Sequence, residues 1–496
     1  ARRAIELLDH RMVIELCDEL ADGGDHDALL LRGTARSAVG DPTAALDLRQ
    51  AIATAPDDSG IARAAQRLAL ELGTRGNDAR AAAEAARKAH DLVTDPDCRR
   101  FLDAEARKWE LLTGDARMGE ADPDADPASR LNDATVRAIM AAMAGRLDEA
   151  ERVSSQAIPL ARAHREVLTY GEELLQLHRL LAIAMRGDAE LTQRSIDAAR
   201  REALAGGRAD DSEGLWLYLE ATAALESGDY DLGVDLAERA IRAMVERDFI
   251  GLEVSASAMH ACALAHVGRL GDATTSLGAL PDAAWDDQRS AHWARRARAE
   301  VAFRHGEVDA AIDEIVAAAE HGIGGGFGAI GALTAHRAVR YGAPDRVVDV
   351  LEGFAAGADG DLFATLADHA RGVVDGDAAR VRRARDWFRD HGLHGPAAVA
   401  ASDLVALVEN GTASGRDAVL LNSVAHDAGP RLTRRELEVA MAAAQRRRSR
   451  EIAADLGVSV RTVDNHLAKA YRKLDISGRD DLRRALIDAG LLTPDP

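Results

Sequence analysis

Lysine is almost missing from this sequence. Only Lys88, Lys108, Lys469 and Lys473 stand among its 62 basic residues. Aromatic residues make up 3% of the chain, so a core must come from Ala, Leu, Val and Ile on closely packed elements. Cysteine is scarce too. Cys17, Cys98 and Cys262 are odd in number and scattered, which excludes a disulfide framework joining all three and offers no CxxC or Cys/His spacing for zinc. A reducing, cytoplasmic setting is expected. No run approaches the 18 apolar residues of a transmembrane helix. The opening ARRAIELLDH is charged and amphipathic, unlike a signal peptide. It lacks an initiator Met and starts inside a helical pattern, which leads us to expect a preceding N-terminal portion. GxxxxGK[ST], HExxH and GxSxG motifs are all missing, so neither a cofactor nor an enzyme activity is expected.

What is present is length, apolar content and acid. At 496 residues and 47% hydrophobic content, the chain exceeds one ordinary domain and is globular in composition. The net charge of −21 is unevenly spread. Residues 431–496 hold 14 basic and 10 acidic side chains, which leaves 48 basic and 73 acidic over 1–430. An acidic body repels a polyanion, so any nucleic-acid contact is expected at the small basic end.

Glycine provides a punctuation. Gly40, Gly76, Gly114, Gly145, Gly187, Gly228, Gly268, Gly306, Gly342 and Gly376 recur at spacings of 31–42 residues, mostly followed by Asp, Asn, Glu or Arg. A small residue follows six of them five places on: Ala45, Ala81, Ala150, Gly233, Ala273 and Ala311. Runs with helical periodicity lie on either side. The pattern predicts stacked helix–turn–helix pairs, with Gly in the left-handed conformation at each turn and the small residue allowing close approach. Segments 28–56 and 138–158 resemble tetratricopeptide repeats, although spacings near 40 depart from a strict 34-residue period. We therefore expect an all-α, tetratricopeptide-like α-solenoid over 1–409, an extended surface for an effector small molecule or a partner protein.

Two stretches imitate ligand motifs. Gly326, Gly328 and Gly331 satisfy GxGxxG, but dinucleotide binding requires a preceding strand. Here a helix over roughly 308–320 precedes them, and a flexible inter-repeat loop is expected. Asp122, Asp124 and Asp126 imitate a calcium loop, yet Pro127 stands where the sharp turn needs Gly and no bidentate Glu follows. Residues 115–130 are read as an acidic, mobile loop. Residues 410–430, rich in Gly and Ser, read as a linker, with a possible short helix near 417–427.

The last segment, 431–496, predicts four helices. Thr433 and Glu436 form a capping box, followed by an apolar face of Leu437, Ala440, Met441 and Ala444. A second helix, about 449–456, buries Ile452, Ala453 and Leu456. Gly457 turns the chain and Ser459 caps a third helix with a buried stripe of Val463, Leu467, Ala470 and Leu474. Its opposite face carries Arg461, Asn465, Ala468 and Arg472, flanked by Thr462, His466, Lys469 and Lys473. Such a face suits the major groove: Asn pairs with adenine, Arg with guanine, and Thr, Lys and His with phosphates. Arg450 on the second helix would lie near phosphate. A fourth helix, about 479–489, exposes Leu482, Ala485, Leu486 and Ala489 for packing or dimer contact.

The run SREIAADLGVSVRTVDNHLAKAYRKLDISGR resembles the LuxR-type helix-turn-helix domain through Glu451, Ile452, Ala453, Ser459, Arg461, Thr462, Val463, His466, Lys473 and Leu474. A helical repeat array joined to that domain resembles the C-terminal part of MalT-like large regulators. The resemblance implies a cytoplasmic bacterial transcription regulator that binds double-stranded promoter DNA as a homodimer, works with RNA polymerase and does not involve a membrane. Its DNA-binding set would be Arg450, Ser459, Arg461, Thr462, Asn465, His466, Lys469, Arg472 and Lys473. The implied mechanism is a population shift, in which a signal on the solenoid frees or aligns the DNA-binding ends. Arg446, Arg447 and Arg448 depart from the family's usual Gly at this place, and Asp464 puts an acid on the groove-facing side. An interaction scaffold, with the helix-turn-helix serving protein contacts, remains the alternative.

Overall fold

The computed structural model describes residues 10–115, 122, 124–165, 168, 170–206, 209–246, 248, 251–410, 434–444, 447–456, 460–473, 476, 478–479 and 481–488. The chain divides into two compact units, Ala1–Ala413 and Ser414–Pro496. Among the described residues all regular structure is helical.

In the first unit α1 (His10–Asp22), α2 (His26–Ala38), α3 (Ala44–Ala53), α4 (Asp58–Leu70), α5 (Ala79–Leu92), α6 (Pro96–Leu112), α7 (Pro127–Met143) and α8 (Leu147–Ala163) lead into α9 (Gly171–Ala184), α10 (Ala189–Ala205), α11 (Ala209–Ser227) and α12 (Tyr230–Glu246). There follow α13 (Glu253–His266), α14 (Leu270–Gly278), α15 (Ala291–Arg304), α16 (Val308–Gly324), α17 (Gly328–Ala335), α18 (Arg337–Arg340), α19 (Val348–Ala355), α20 (Asp361–Asp375), α21 (Ala378–Asp390) and α22 (His394–Asn410). Each helix packs mainly on its sequence neighbours and often on the next but one, which is how pairs that cannot bury their apolar faces alone become a stack.

The Gly–Asp punctuation has a two-part cause. At Gly187–Asp188 and Gly376–Asp377 the Gly takes a positive φ at a helix end, and the Asp side chain then accepts N–H groups that open the next helix. Of the ten punctuating glycines nine have positive φ. Gly76 does not; Asn77 takes the left-handed position in its place. The reason is that α4 runs on into a π-helical turn, Glu71–Arg75, which shifts the stop by one residue. The buried small residue shifts with it, to Ala82 rather than Ala81. Ala150, Gly233, Ala273 and Ala311 are buried as expected, whereas Ala45 yields to Ala44.

The π turn fits under Trp109, whose ring lies where a Cβ on Gly73 would be. Trp109 is itself pinned by its Nε1–H to the buried Glu105 (2.8 Å). Gly73→Ala is therefore expected to cost about 1–3 kcal/mol through overpacking, read as a lower urea midpoint at unchanged slope. An unchanged midpoint would show that the ring moves aside freely.

Two loop expectations need correction. The glycine-rich stretch 322–331 is mostly helical, with only Gly325–Phe327 between α16 and α17. Its glycines serve close packing: Gly322 and Gly331 face each other, and Gly328 sits against Phe354. The supposed loop 115–130 ends earlier than expected, because Asp126 caps α7, which begins at Pro127; residues 116–121 and 123 lie outside the described residues. The described residues hold no His/Cys/Asp/Glu cluster suited to a metal.

The second half of the repeat unit lies along the turns of the first. Gly73 O accepts from Arg289 (3.2 Å), Leu112 O from the Gln288 N–H (3.0 Å), Gly145 O from the Asp359 N–H (2.8 Å), and His391 O from the Ala189 N–H (3.1 Å). Gly228 approaches Gly395 so closely that a Cβ would meet its Cα at 2.6 Å. Correspondingly, α17 packs on α7 and α22 on α11. The array thus doubles over itself, and a cavity lies between its halves.

Candidate nucleic-acid interface

The C-terminal unit contains α23 (Arg434–Ala444), α24 (Ser449–Leu456), α25 (Val460–Lys473) and α26 (Leu482–Asp488). The expected capping residue Thr433, the linker 410–430 beyond Asn410, Gly457, Ser459 and Leu474 lie outside the described residues. The core is Val439, Ala440, Ala443, Ala444, Ile452, Ala453, Val463, Leu467, Ala470, Leu482 and Leu486. Its members on α24 and α25 are those the periodicity predicts. On α23 the buried face is turned toward Val439 and Ala443, and Met441 is only half-buried.

Two side chains hold the entry to α24. The Arg448 N–H donates to Glu451 Oε2 (2.8 Å), and Arg448 O accepts from the Ile452 N–H (3.0 Å). Glu451 therefore reaches back as the carboxylate of a capping box. The Arg479 guanidinium donates to Ala443 O (3.3 Å) and to Arg447 O, closing the end of α23. Among the three consecutive arginines, Arg447 thus contributes its carbonyl to the fold, while Arg448 is exposed. These backbone roles were missed from sequence; the signal for the first was that Glu451 belongs to the family pattern.

The fourth helix takes the first of its two expected roles, packing, at the described positions. Leu482 and Leu486 are fully buried and Ala485 is half-buried, because α26 packs on α23. They complete the small core and leave no apolar face at these positions for a dimer; Ala489 lies outside the described residues.

The free face of α25 carries the chemistry. Arg461, Asp464, Asn465, Ala468 and Lys469 are exposed, while Thr462 and His466 are half-buried. One turn inward, Val463, Leu467 and Ala470 are buried. The helix therefore presents two donor-rich side chains, Arg461 and Asn465, one turn apart, with Lys469 a turn further. Arg450 is exposed on α24. The His466 ring turns Nδ1 into the interior, where it has no hydrogen-bond partner. Arg472 and Lys473 belong to the last turn of α25, with side chains outside the described residues. The structure thus brings Arg461, Asn465 and Lys469 together on one side, with Thr462 and His466 at its margin.

The family model for bacterial regulatory proteins of the luxR family matches residues 430–486. Spore germination protein GerE of Bacillus subtilis (strain 168) is 40% identical over 63 residues, which amount to 13% of this chain and 85% of that protein. No helix among the described residues is long and apolar enough to cross a membrane.

Proposed function

Because the chain belongs to the luxR family of bacterial regulatory proteins, we propose that it is a sequence-specific transcription regulator that reads promoter DNA with α25. The observation that carries this reading is the division of α25 into a buried stripe, Val463, Leu467 and Ala470, and an exposed face bearing Arg461, Asn465 and Lys469. Arg461, Asn465 and Arg472 would face base edges, Lys469, Thr462, His466, Lys473 and Arg450 would hold phosphates, and Ser459 would cap α25 beside them. Asp464 stands among these donors; it would accept from cytosine or orient Arg461. We further propose that the protein works in the cytoplasm as a dimer on paired half-sites, with RNA polymerase as its downstream partner. Its tetratricopeptide-like, MalT-like repeat unit would sense an effector or a partner protein.

The test is binding of the full chain to pooled genomic fragments at several salt concentrations. Selective enrichment is expected, with affinity falling steeply as salt rises. Arg461→Ala with Asn465→Ala should weaken the enriched site roughly 100-fold or more, since each base contact contributes about 1–3 kcal/mol. Lys469→Ala should instead weaken all sequences alike and lower the salt slope by about one. Full selectivity in the double variant would exclude Arg461 and Asn465 as the reading residues, whereas no selective enrichment by the parent chain would favour the scaffold.

A further inference from the structure

The doubled repeat unit holds a cavity of about 210 Å³, walled by Trp109, Met143, Phe327 and Leu333 together with other apolar side chains from both halves. That is below the roughly 300–1,000 Å³ of drug-sized sites, so the occupant must be compact. One part of the wall is charged. Glu226 on α11 lies between Arg296 on α15 and Arg337 on α18. The Arg296 Nη1–H donates to one oxygen (2.6 Å) and the Arg337 Nη2–H to the other (2.6 Å). These residues are 70 and 111 positions apart in sequence, so the cluster exists only because the array folds back on itself.

Within this cluster the charges do not balance. Two guanidinium groups share one carboxylate, and burial, although it opposes ionisation of Glu226, is outweighed by Arg296 and Arg337, which hold its pKa down to about 2. Elsewhere on the wall Lys108 is paired with Glu105 and Arg289 with Asp287, and Asp188 caps α10. Arg296 is 2% exposed and its guanidinium lies over the Trp293 ring, 4.5 Å from the centroid, yet its Nε and Nη2 have no hydrogen-bond partner. A buried cation with unmatched donors is costly unless an acceptor arrives. His178, also on this wall and kept neutral by burial, leaves Nδ1 without a partner.

From this surplus we propose that the cavity binds a compact organic monoanion, an apolar body carrying one carboxylate, with Arg296 and Arg337 meeting the carboxylate. Its role as effector rests on the regulator reading above; the site does not. A cation would find both Glu226 oxygens engaged. A phosphate dianion would exceed the single surplus charge, and a sugar would leave its hydroxyls unmatched on apolar walls.

Isothermal titration calorimetry of the full chain with octanoate, 1-octanol and octylamine separates these cases. Octanoate should bind saturably, one per chain, at least about tenfold tighter than octanol, with octylamine weakest. Arg296→Met should bring octanoate down to the level of octanol and leave octanol unchanged. Leu333→Trp, which fills the cavity, should abolish binding of both at unchanged helical circular dichroism. Equal affinity for octanoate and octanol, preference for octylamine, no saturable binding by any probe, or an Arg296→Met variant like the parent would each overturn the proposal. Octanoate binding in a chain that fails to select DNA would support the site and sink the regulator; DNA selection without octanoate binding would sink the site alone.

Discussion

Acidification from pH 7.5 to pH 5 is expected to lower the melting temperature of the repeat unit by on the order of 10 °C. The cause is a set of buried imidazoles. His178 and His292 are pushed down to about 3, chiefly by burial. His266 and His336 are held well below the ordinary histidine value, again chiefly by burial. For His292 and His266 nearby arginines add to the effect, and for His336 so do His369 and Arg337. All four stay neutral in the folded state, whereas in the unfolded chain each titrates near 6.5. Below that value the unfolded state binds more protons, so stability falls with pH. The loss begins near pH 6.5 and continues until the folded pKa is reached, about 3 for His178 and His292. At pH 5 this amounts to roughly 2 kcal/mol for each of His178 and His292, already a large fraction of the stability of many domains, and His266 and His336 act in the same direction. Glu226, with a pKa of about 2, begins to lose its contribution only below its unfolded value near 4.3, outside this window. Glu220 works the other way, since burial raises its pKa, but it is a single group. Thermal melts at the two pH values check the expectation, and His178→Gln with His292→Gln should flatten the dependence. Equal melting temperatures at pH 7.5 and pH 5 would mean that these rings are charged or reach water in the folded state.

How much of this was legible in the sequence depended on how local each cause is. The bounds of α24 and the stripe Ile452, Ala453, Val463, Leu467 and Ala470 follow from spacing within some twenty residues, and they stand in the structure as read. The turn glycines were legible for the same reason, since a left-handed stop followed by an Asp cap is a two-residue signal. Gly76 failed because the π turn before it answers to the Trp109 ring, some 35 residues on, which no spacing rule registers. The glycines of 322–331 read as a loop because glycine weakens helices; here they are helical because neighbouring backbones leave no room for a Cβ. For Leu482 and Leu486 packing and dimer contact both stayed open, because periodicity defines a face without saying what covers it. The cavity was beyond reach altogether. Glu226, Arg296 and Arg337 are ordinary charged residues of ordinary helices until the turns at 73, 112, 145 and 189 meet those near 289, 359 and 391.

The same folding-back predicts that Glu300→Ala will cost about 3–5 kcal/mol. Glu300 is fully buried on α15, yet it remains ionised: burial opposes its charge, and Arg340, with help from Arg304, more than offsets it. It accepts from Arg304 Nε (2.8 Å), from Arg340 and from the Tyr341 hydroxyl (3.0 Å). Arg340 lies on α18, so the carboxylate ties α15 to the short helix whose neighbouring Arg337 grips Glu226. Removing it would strand a phenol and a guanidinium that have little access to water, and it would withdraw the carboxylate that faces His266 at 3.5 Å. Glu300→Gln keeps the shape and one acceptor, so it should cost less than the Ala change but still leave the cations unbalanced. The penalty belongs to the stranded partners rather than to the pair as such. Replacing both members, Glu300→Met with Arg340→Met, should therefore recover a large share of the loss. Urea midpoints of the four proteins test this. If the double variant were as unstable as Glu300→Ala, the packing around residue 300 would be the dominant quantity and the ion pair a bystander.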